Sequence, residues 1–245
     1  MRDSALHPAA SGKWIDDADL TFEINEPDAY ALEEALQLKE KHGGDVVVLC
    51  AGPERAAQTI REALAKGADR AIHIETDALG SLDTLGVAKL LAAAVMPEKP
   101  DLILTGLQSD DLGAGQTGVV MAELLGIPHS TIIMQVEVRD ASIRVKRELE
   151  NGWFQHIELP MPAVLAMQSG SNKLRYATLM GIKKAKSKEI RRVTPADPGG
   201  AAAAVSAIEK VYLPQKSKQT QLFEGDPKTA AAQLVEKLKF EARVL

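Results

Sequence analysis

Three short apolar runs, DVVVLC (45–50), AIHI (71–74) and DLILT (101–105), alternate with stretches of helical periodicity, and this alternation constrains the fold more than any other feature. Such runs, apolar on both faces, have the pattern of strands covered on two sides. The stretches between them follow the other period. Asn25-Glu26-Pro27 starts a helix, because a proline in the first turn sacrifices no hydrogen bond. Leu32, Ala35 and Leu36 recur at helical spacing within it, and Gly43-Gly44 ends it. Pro53 opens a second helix, with Ala57, Ile60 and Leu64 on one face and Gly67 past its end. Residues 82–95 form a third, stopped by Pro97, and Gln116 to Leu125 a fourth, closed by Gly126. Strands alternating with helices in this way predict βαβ units and an α/β fold with a Rossmann-like, doubly wound, mostly parallel sheet.

The pattern changes after Pro128. STIIMQVEV and IRVKREL flank RDAS, and NGW leads into WFQHIE, which predicts an added antiparallel hairpin arrangement. LPMPAVLAM (159–167) reads as one more buried strand. From about Glu189 the rhythm is lost. TPADPGGAAAAVSA reads as a linker and PKTAAAQLVEKLKFEARVL as an amphipathic terminal helix, an extended C-terminal arm suited to lying on a partner or on the parent domain. The expected division is an α/β nucleotide-binding domain over 1–190 and the arm over 191–245. A doubly wound sheet normally begins with a short apolar strand that ends up central. Residues 1–20, MRDSALHPAASGKWIDDADL, contain none.

Composition narrows the function. The 245 residues carry a formal charge of −5, and aromatics make up 4%. Nucleic-acid binding relies on phosphate neutralisation by Lys and Arg and on aromatic stacking, so this balance argues against it. Cys50 is the single cysteine, which excludes an internal disulfide and fits a reducing compartment. The sequence has no stretch of membrane-spanning length and no basic-then-apolar leader pattern. A soluble, cytoplasmic protein is expected.

The candidate site is GLQSDDLGAGQTG (106–118), placed after a strand and before a helix, where ligands bind in open α/β sheets. Its glycines allow close backbone approach, and the first N–H groups of the following helix can bind phosphate. It matches neither a P-loop nor a GxGxxG fingerprint. The plain alternative is an ordinary glycine-rich turn. Asp110 or Asp111 could cap the loop's own N–H groups or accept from a ribose hydroxyl. Asn25 reads locally as a helix N-cap and Cys50 as a small core residue. The histidines at 7, 42, 73, 129 and 156 have no metal-ligand spacing. No nucleophile elbow is present. KKAKSKEIRR (183–192) is either a solvated face or a dock for an acidic partner.

Several stretches together resemble the β subunit of electron transfer flavoprotein: EINEPDAYALEEALQLKEKHGGDVVVLCAGP, EALAKGADRAIHIE, the glycine loop, and VKRELENGWFQHIELPMPAVLAMQSGSNKLRYATLMGIKKAKSKEI. The last is the most specific. Arg147-Glu148, Leu159-Pro160, Pro162-Ala163-Val164, Asn172, Arg175-Tyr176, Leu179 and Ile182 keep the family's order and spacing. The resemblance implies an adenine-nucleotide alpha-hydrolase-like fold and a heterodimer with an α subunit that holds most of the redox-active FAD. It implies a structural AMP in the β subunit, or in electron-bifurcating members a second FAD. The nucleotide contacts it implies are Asn25, Glu26, Pro27, Asp28, Cys50, Gly106, Gln108, Ser109, Asp110, Asp111, Gly113, Gly115, Gln116 and Thr117. The implied partners are acyl-CoA or related dehydrogenases as donors and a membrane quinone oxidoreductase or other acceptor. The recognition loop would be roughly Met167–Glu189, with Leu179 as apolar anchor. Arg175, Tyr176, Lys183, Lys184, Lys186 and Lys188 belong to it, and Glu148 would face the α subunit. No catalytic residue is implied: the chain would be an electron-carrier subunit.

Two departures stand out. Glu26 interrupts the family's Asn-Pro-aromatic run, and an acid there would repel a phosphate. The opening strand, which in the family gives the adenine a backbone contact, is missing; because RDS would follow it, Met1 is expected to be an internal methionine. A universal-stress-type nucleotide sensor is the competing reading, and the recognition motif and long arm argue against it.

Overall fold

The structure, a computed structural model, describes residues 6–17, 20–194, 204–214 and 220–244. The chain divides into two units, Ala18–Ile208, and Met1–Asp17 together with Glu209–Leu245. In the larger unit the expected alternation is present. α1 (Glu26–His42) has Pro27 in its first turn, acidic Glu26 and Asp28 at its positive end and Lys39, Lys41 and His42 at the other, and Gly43 follows at φ 82°. Then come β1 (Val47–Gly52), α2 (Ala56–Lys66), β2 (Arg70–Glu75), α3 (Thr84–Val95), β3 (Leu102–Gly106) and α4 (Thr117–Leu125). Asp83 caps α3, accepting from the Gly86 N–H at 3.0 Å.

β4 (His129–Arg139), β5 (Ser142–Glu148) and β6 (Phe154–Pro160) form the antiparallel ribbon, with β4 and β5 joined by a two-residue turn at Asp140-Ala141. The run 159–167 is not one strand. It ends β6 at Pro160, turns at the cis Met161-Pro162 bond and begins β7 (Ala163–Met167). β7 then lies between β3 and β4, parallel to both. β4 serves two roles. Its first residues pair with β7 and its later ones with β5; the register with β7 shifts at Ile132, whose φ of 59° is rare for a β-branched residue, and the register with β5 shifts between Ile133 and Gln135.

The rhythm also persists past Glu189. α5 (Leu179–Ala185) is capped by Thr178, and β8 (Ile190–Val193) pairs parallel with β2. The strands form two sheets, β1-β2-β8 and β3-β7-β4-β5-β6. One layer of helices, α1, α2 and α5, covers Val48 and Cys50 of β1 through Leu36, Ile60, Leu64 and Ala185. On the opposite face α3 and α4 bury Leu49 and Ile103 against Ala88, Val95 and Met121. A third cluster under the ribbon joins Ile133, Ile143, Val145, Leu165 and Met167.

In the smaller unit α6 (Pro227–Phe240) is the expected terminal helix, capped by Asp226, with none of its residues buried. Residues 7–16 make an isolated bridge between Pro8 and Ile15, and the Val211 N–H donates to the Gly12 carbonyl at 2.7 Å. Residues 195–203 of the expected linker lie outside the described residues.

Candidate functional site

The glycine loop is held from behind by the start of α1. Asn25 occupies the N-cap position, yet its side chain caps nothing. Its Nδ2 donates to the Gln108 carbonyl at 3.0 Å and to Asp28 Oδ2 at 2.8 Å, while its Oδ1 accepts from the Asp110 N–H at 3.0 Å. Asp28 Oδ1 accepts from the Gly106 N–H at 2.7 Å. The cap expected from local sequence is therefore replaced by a latch across some eighty residues of chain. The latch works because the backbones approach closely. A Cβ on Gly106 would stand 2.6 Å from the Asp28 nitrogen and 2.8 Å from Pro27. Only glycine fits.

Beyond Gly106 the loop closes on itself. Ser109 Oγ accepts from the Leu112 N–H at 3.2 Å, and the Ser109 carbonyl accepts from the Gly113 N–H at 2.9 Å. Gly113 and Gly115 take φ of 62° and 64°, which a side chain would oppose. Gln116 then sits at the N-cap of α4, and its side chain makes no cap bond. The positive end of α4 thus faces the loop without a side-chain acceptor from its own cap residue.

Thr105 was not legible as a site residue. Its Oγ1 is buried without a partner among the described residues, and it lies 2.6 Å from where a Cβ on Gly118 would stand. The signal was a polar residue late in an apolar strand. Cys50, toward the end of β1, has its thiol pushed up to about 11, mainly by burial and secondarily by the nearby Asp28 carboxylate. It is a protonated, uncharged thiol at neutral pH, packed against the α1–α2–α5 cluster. Glu26, Asp110 and Asp111 are exposed, which makes the rim acidic.

A second group of predicted residues lies after β7. Tyr176 is 93% and Leu179 86% exposed, with Met180 and Ile182 beside them, so Leu179 is not a core leucine. Lys183 and Lys184 are exposed on α5 and Lys186 at its C-cap. Two cations face inward instead. Arg175 binds Glu33 at 2.8 Å and Glu40 at 2.6 Å, both on α1. Lys188 donates to the Leu64 carbonyl at 3.1 Å and to the Ala68 carbonyl, and burial lowers its pKa. Lys188 therefore adds nothing to an outward basic patch. Burial works to raise the Glu33 carboxyl, but hydrogen bonds from Arg175 and Gln37 hold it below the ordinary carboxylate value. Glu34 goes the other way. Burial raises it against the opposing hydrogen bond from Asn172, and Glu33 adds to the rise. Glu148 ends β5 and accepts from Gln168 Nε2 at 3.4 Å.

These features define an α/β protein with helices on both faces of its strands and a glycine loop latched to the first helix. A family model described as the electron transfer flavoprotein domain matches residues 13–198. The chain is 37% identical to the electron transfer flavoprotein subunit beta of Methylophilus methylotrophus, over 92% of this chain and 89% of that protein. It is 37% identical to the subunit of the same name from Bacillus subtilis, over 96% and 92%, and 38% identical to the one from Mus musculus, over 87% and 83%. The chain belongs to the electron transfer flavoprotein family. No described helix is long and apolar enough to cross a membrane.

Proposed function

We propose that this chain is the β subunit of a heterodimeric electron transfer flavoprotein, carrying electrons rather than making or breaking covalent bonds in a substrate. The supporting observation is the latched loop, which lies beside the uncapped start of α4 and the protonated Cys50. The residues suit an adenylate. Gly106 and Gly118 let the start of α1 and Thr105 pack close against the loop, Gly113 faces open space, and Thr105 Oγ1 is a hydroxyl in want of a partner. Backbone N–H groups of the loop and of Gln116-Thr117 would hold the phosphate, Cys50 would lie against the base or ribose, and Glu26, on the exposed rim, would contribute backbone rather than carboxylate. A flavin held mainly by the α subunit would supply the redox chemistry. This chain's task is to fix the nucleotide, contact the α subunit through Glu148 and the terminal arm, and present the docking segment to an acyl-CoA or related dehydrogenase, with a quinone oxidoreductase as acceptor.

In that segment Leu179 is the anchor and Tyr176 its neighbour, while Lys183, Lys184 and Lys186 draw in an acidic surface. Arg175 acts as a positioning residue, tying the segment to α1.

The test is to co-express the chain with its α subunit, denature the purified complex and separate the released nucleotides. One FAD and one AMP per heterodimer is the expected result. Two FAD would make the complex a bifurcating flavoprotein, and AMP or ATP without flavin would overturn the carrier reading in favour of a sensor. Leu179→Ala is expected to slow electron transfer from the dehydrogenase at least about tenfold, as loss of a hot-spot side chain does, at unchanged flavin content.

A further inference from the structure

α5 has little reason to be a helix by itself. It is 7 residues long, LMGIKKA, and helices shorter than about 12–15 residues are marginal in water. One of the 7 is glycine, the poorest helix former after proline. Its shape comes from what it lies on, the last turns of α2. At Gly181 the two helices approach so closely that a Cβ would stand 2.2 Å from the Ala65 carbonyl oxygen. One turn on, Ala185 is buried with Ile60 and Leu64.

The two helices also exchange caps. A helix ends in carbonyls that have no partner within it. Arg61 of α2 donates through Nη1 to the carbonyls of Ala185 and Lys188, both at 2.6 Å, and so closes the end of α5. Lys188, just past α5, donates through Nζ to the Leu64 carbonyl at 3.1 Å and to the Ala68 carbonyl, and so closes the end of α2. Each cation therefore sits at the negative end of the other helix. The start of α5 is fixed as well, since Thr178 Oγ1 accepts from the Gly181 N–H at 3.0 Å. With Gly181 and Ala185 turned to α2, Leu179 and Met180 stand exposed at the start of the helix.

We propose that Arg61 and Lys188 are positioning residues that, by capping each other's helices, hold α5 in its docking shape before a dehydrogenase arrives. The proposal rests on the docking role given above to the segment around Leu179. A segment that must fold on its partner loses affinity to the cost of ordering, and a preformed one does not. Two cations that face away from the partner thus set how tightly it is held. Lys183, Lys184 and Lys186 differ from them in acting outward, through charge.

The test uses the heterodimer with Lys188→Met, which keeps the stem and removes the donors, with Lys188→Arg, which keeps a donor, and with Arg61→Gln. The amides of Ile182, Lys186 and Ser187 bond to the carbonyls of Thr178, Lys183 and Lys184. In Lys188→Met they should exchange at least about tenfold faster, with β5 and β6 amides unchanged. The KM of the dehydrogenase for the heterodimer should rise about tenfold, at unchanged maximal rate and flavin content. That rise should persist at high ionic strength, where lost electrostatic steering would not show. Lys188→Arg should recover most of both effects. If fast exchange in β5 and β6 shows that Lys188→Met does not fold, Arg61→Gln is read in its place. Unchanged exchange in α5, faster exchange with an unmoved KM, or a KM rise that salt abolishes would overturn the proposal. Leu179→Ala separates this outcome from failure of the docking role, because it should raise KM without loosening α5. If Leu179→Ala has no effect on transfer, the docking role falls and the proposal with it. If it raises KM and Lys188→Met does not, only the proposal falls.

Discussion

Glu33 and Glu34 are neighbours in sequence, both buried, and shifted in opposite directions. Glu33 has its guanidinium partner, and its pKa falls. Its contribution to stability is present above the ordinary value of 4.5 and is lost as the pH drops through its lowered native value. Removing the partner should be costly: Arg175→Ala leaves a buried carboxylate unpaired, and a loss of about 2–3 kcal/mol is expected in urea unfolding at pH 7. Glu34 follows the reverse sign. With its pKa raised, its contribution is present below 4.5 and is lost as the pH rises through the raised value. Glu34→Gln keeps an acceptor for Asn172 and should raise the Tm at pH 7 but not near pH 4; an equal gain at both pH values would show that charge is not the cause. None of this is visible in the run LEEALQ, where the two glutamates look like an ordinary charged helix face. Burial of Glu33 and Glu34 depends on the segment around Asn172 and Arg175 folding over α1, some 140 residues on.

At the scale of elements, α1 does two things at once. Its first turn latches the glycine loop and its middle turns hold the segment that leads to α5. Gly106→Ala should therefore push the start of α1 off β3. The expected cost is about 1–3 kcal/mol, as overpacking gives, with AMP content of the purified complex falling alongside. Full AMP retention would detach the latch from nucleotide binding. What can be read from sequence is what is local and periodic: the first helices and strands, a short turn of the ribbon around RDAS and the terminal helix. What escaped was set by distant pairing. IRRV shows two exposed arginines and no apolar run, so β8 looks like loop until β2 lies beside it. The irregularity of β4 follows from its two partners, with the β7 register shifting at Ile132, against that residue's own preference, and the β5 register shifting between Ile133 and Gln135. Asn25 sits at the N-cap position its local sequence implies, but its side chain bonds Gln108 and Asp110, a latch that requires the fold.

For the whole molecule, a net charge of −5 coexists with a basic face on α5. That asymmetry should appear in kinetics. Reduction by the dehydrogenase should slow as ionic strength rises through the range where the Debye length falls to about 8 Å, and the triple change of Lys183, Lys184 and Lys186 to Gln should flatten the dependence. A salt response unchanged in the triple variant would place the steering charges elsewhere. Among the described residues β1 and β3 each leave one edge unpaired, which carries a practical consequence for anyone handling the protein. Bare main-chain rims recruit strands from other molecules. Solubility, not melting, would then set the concentration ceiling, and turbidity on gentle warming would precede any change in ellipticity.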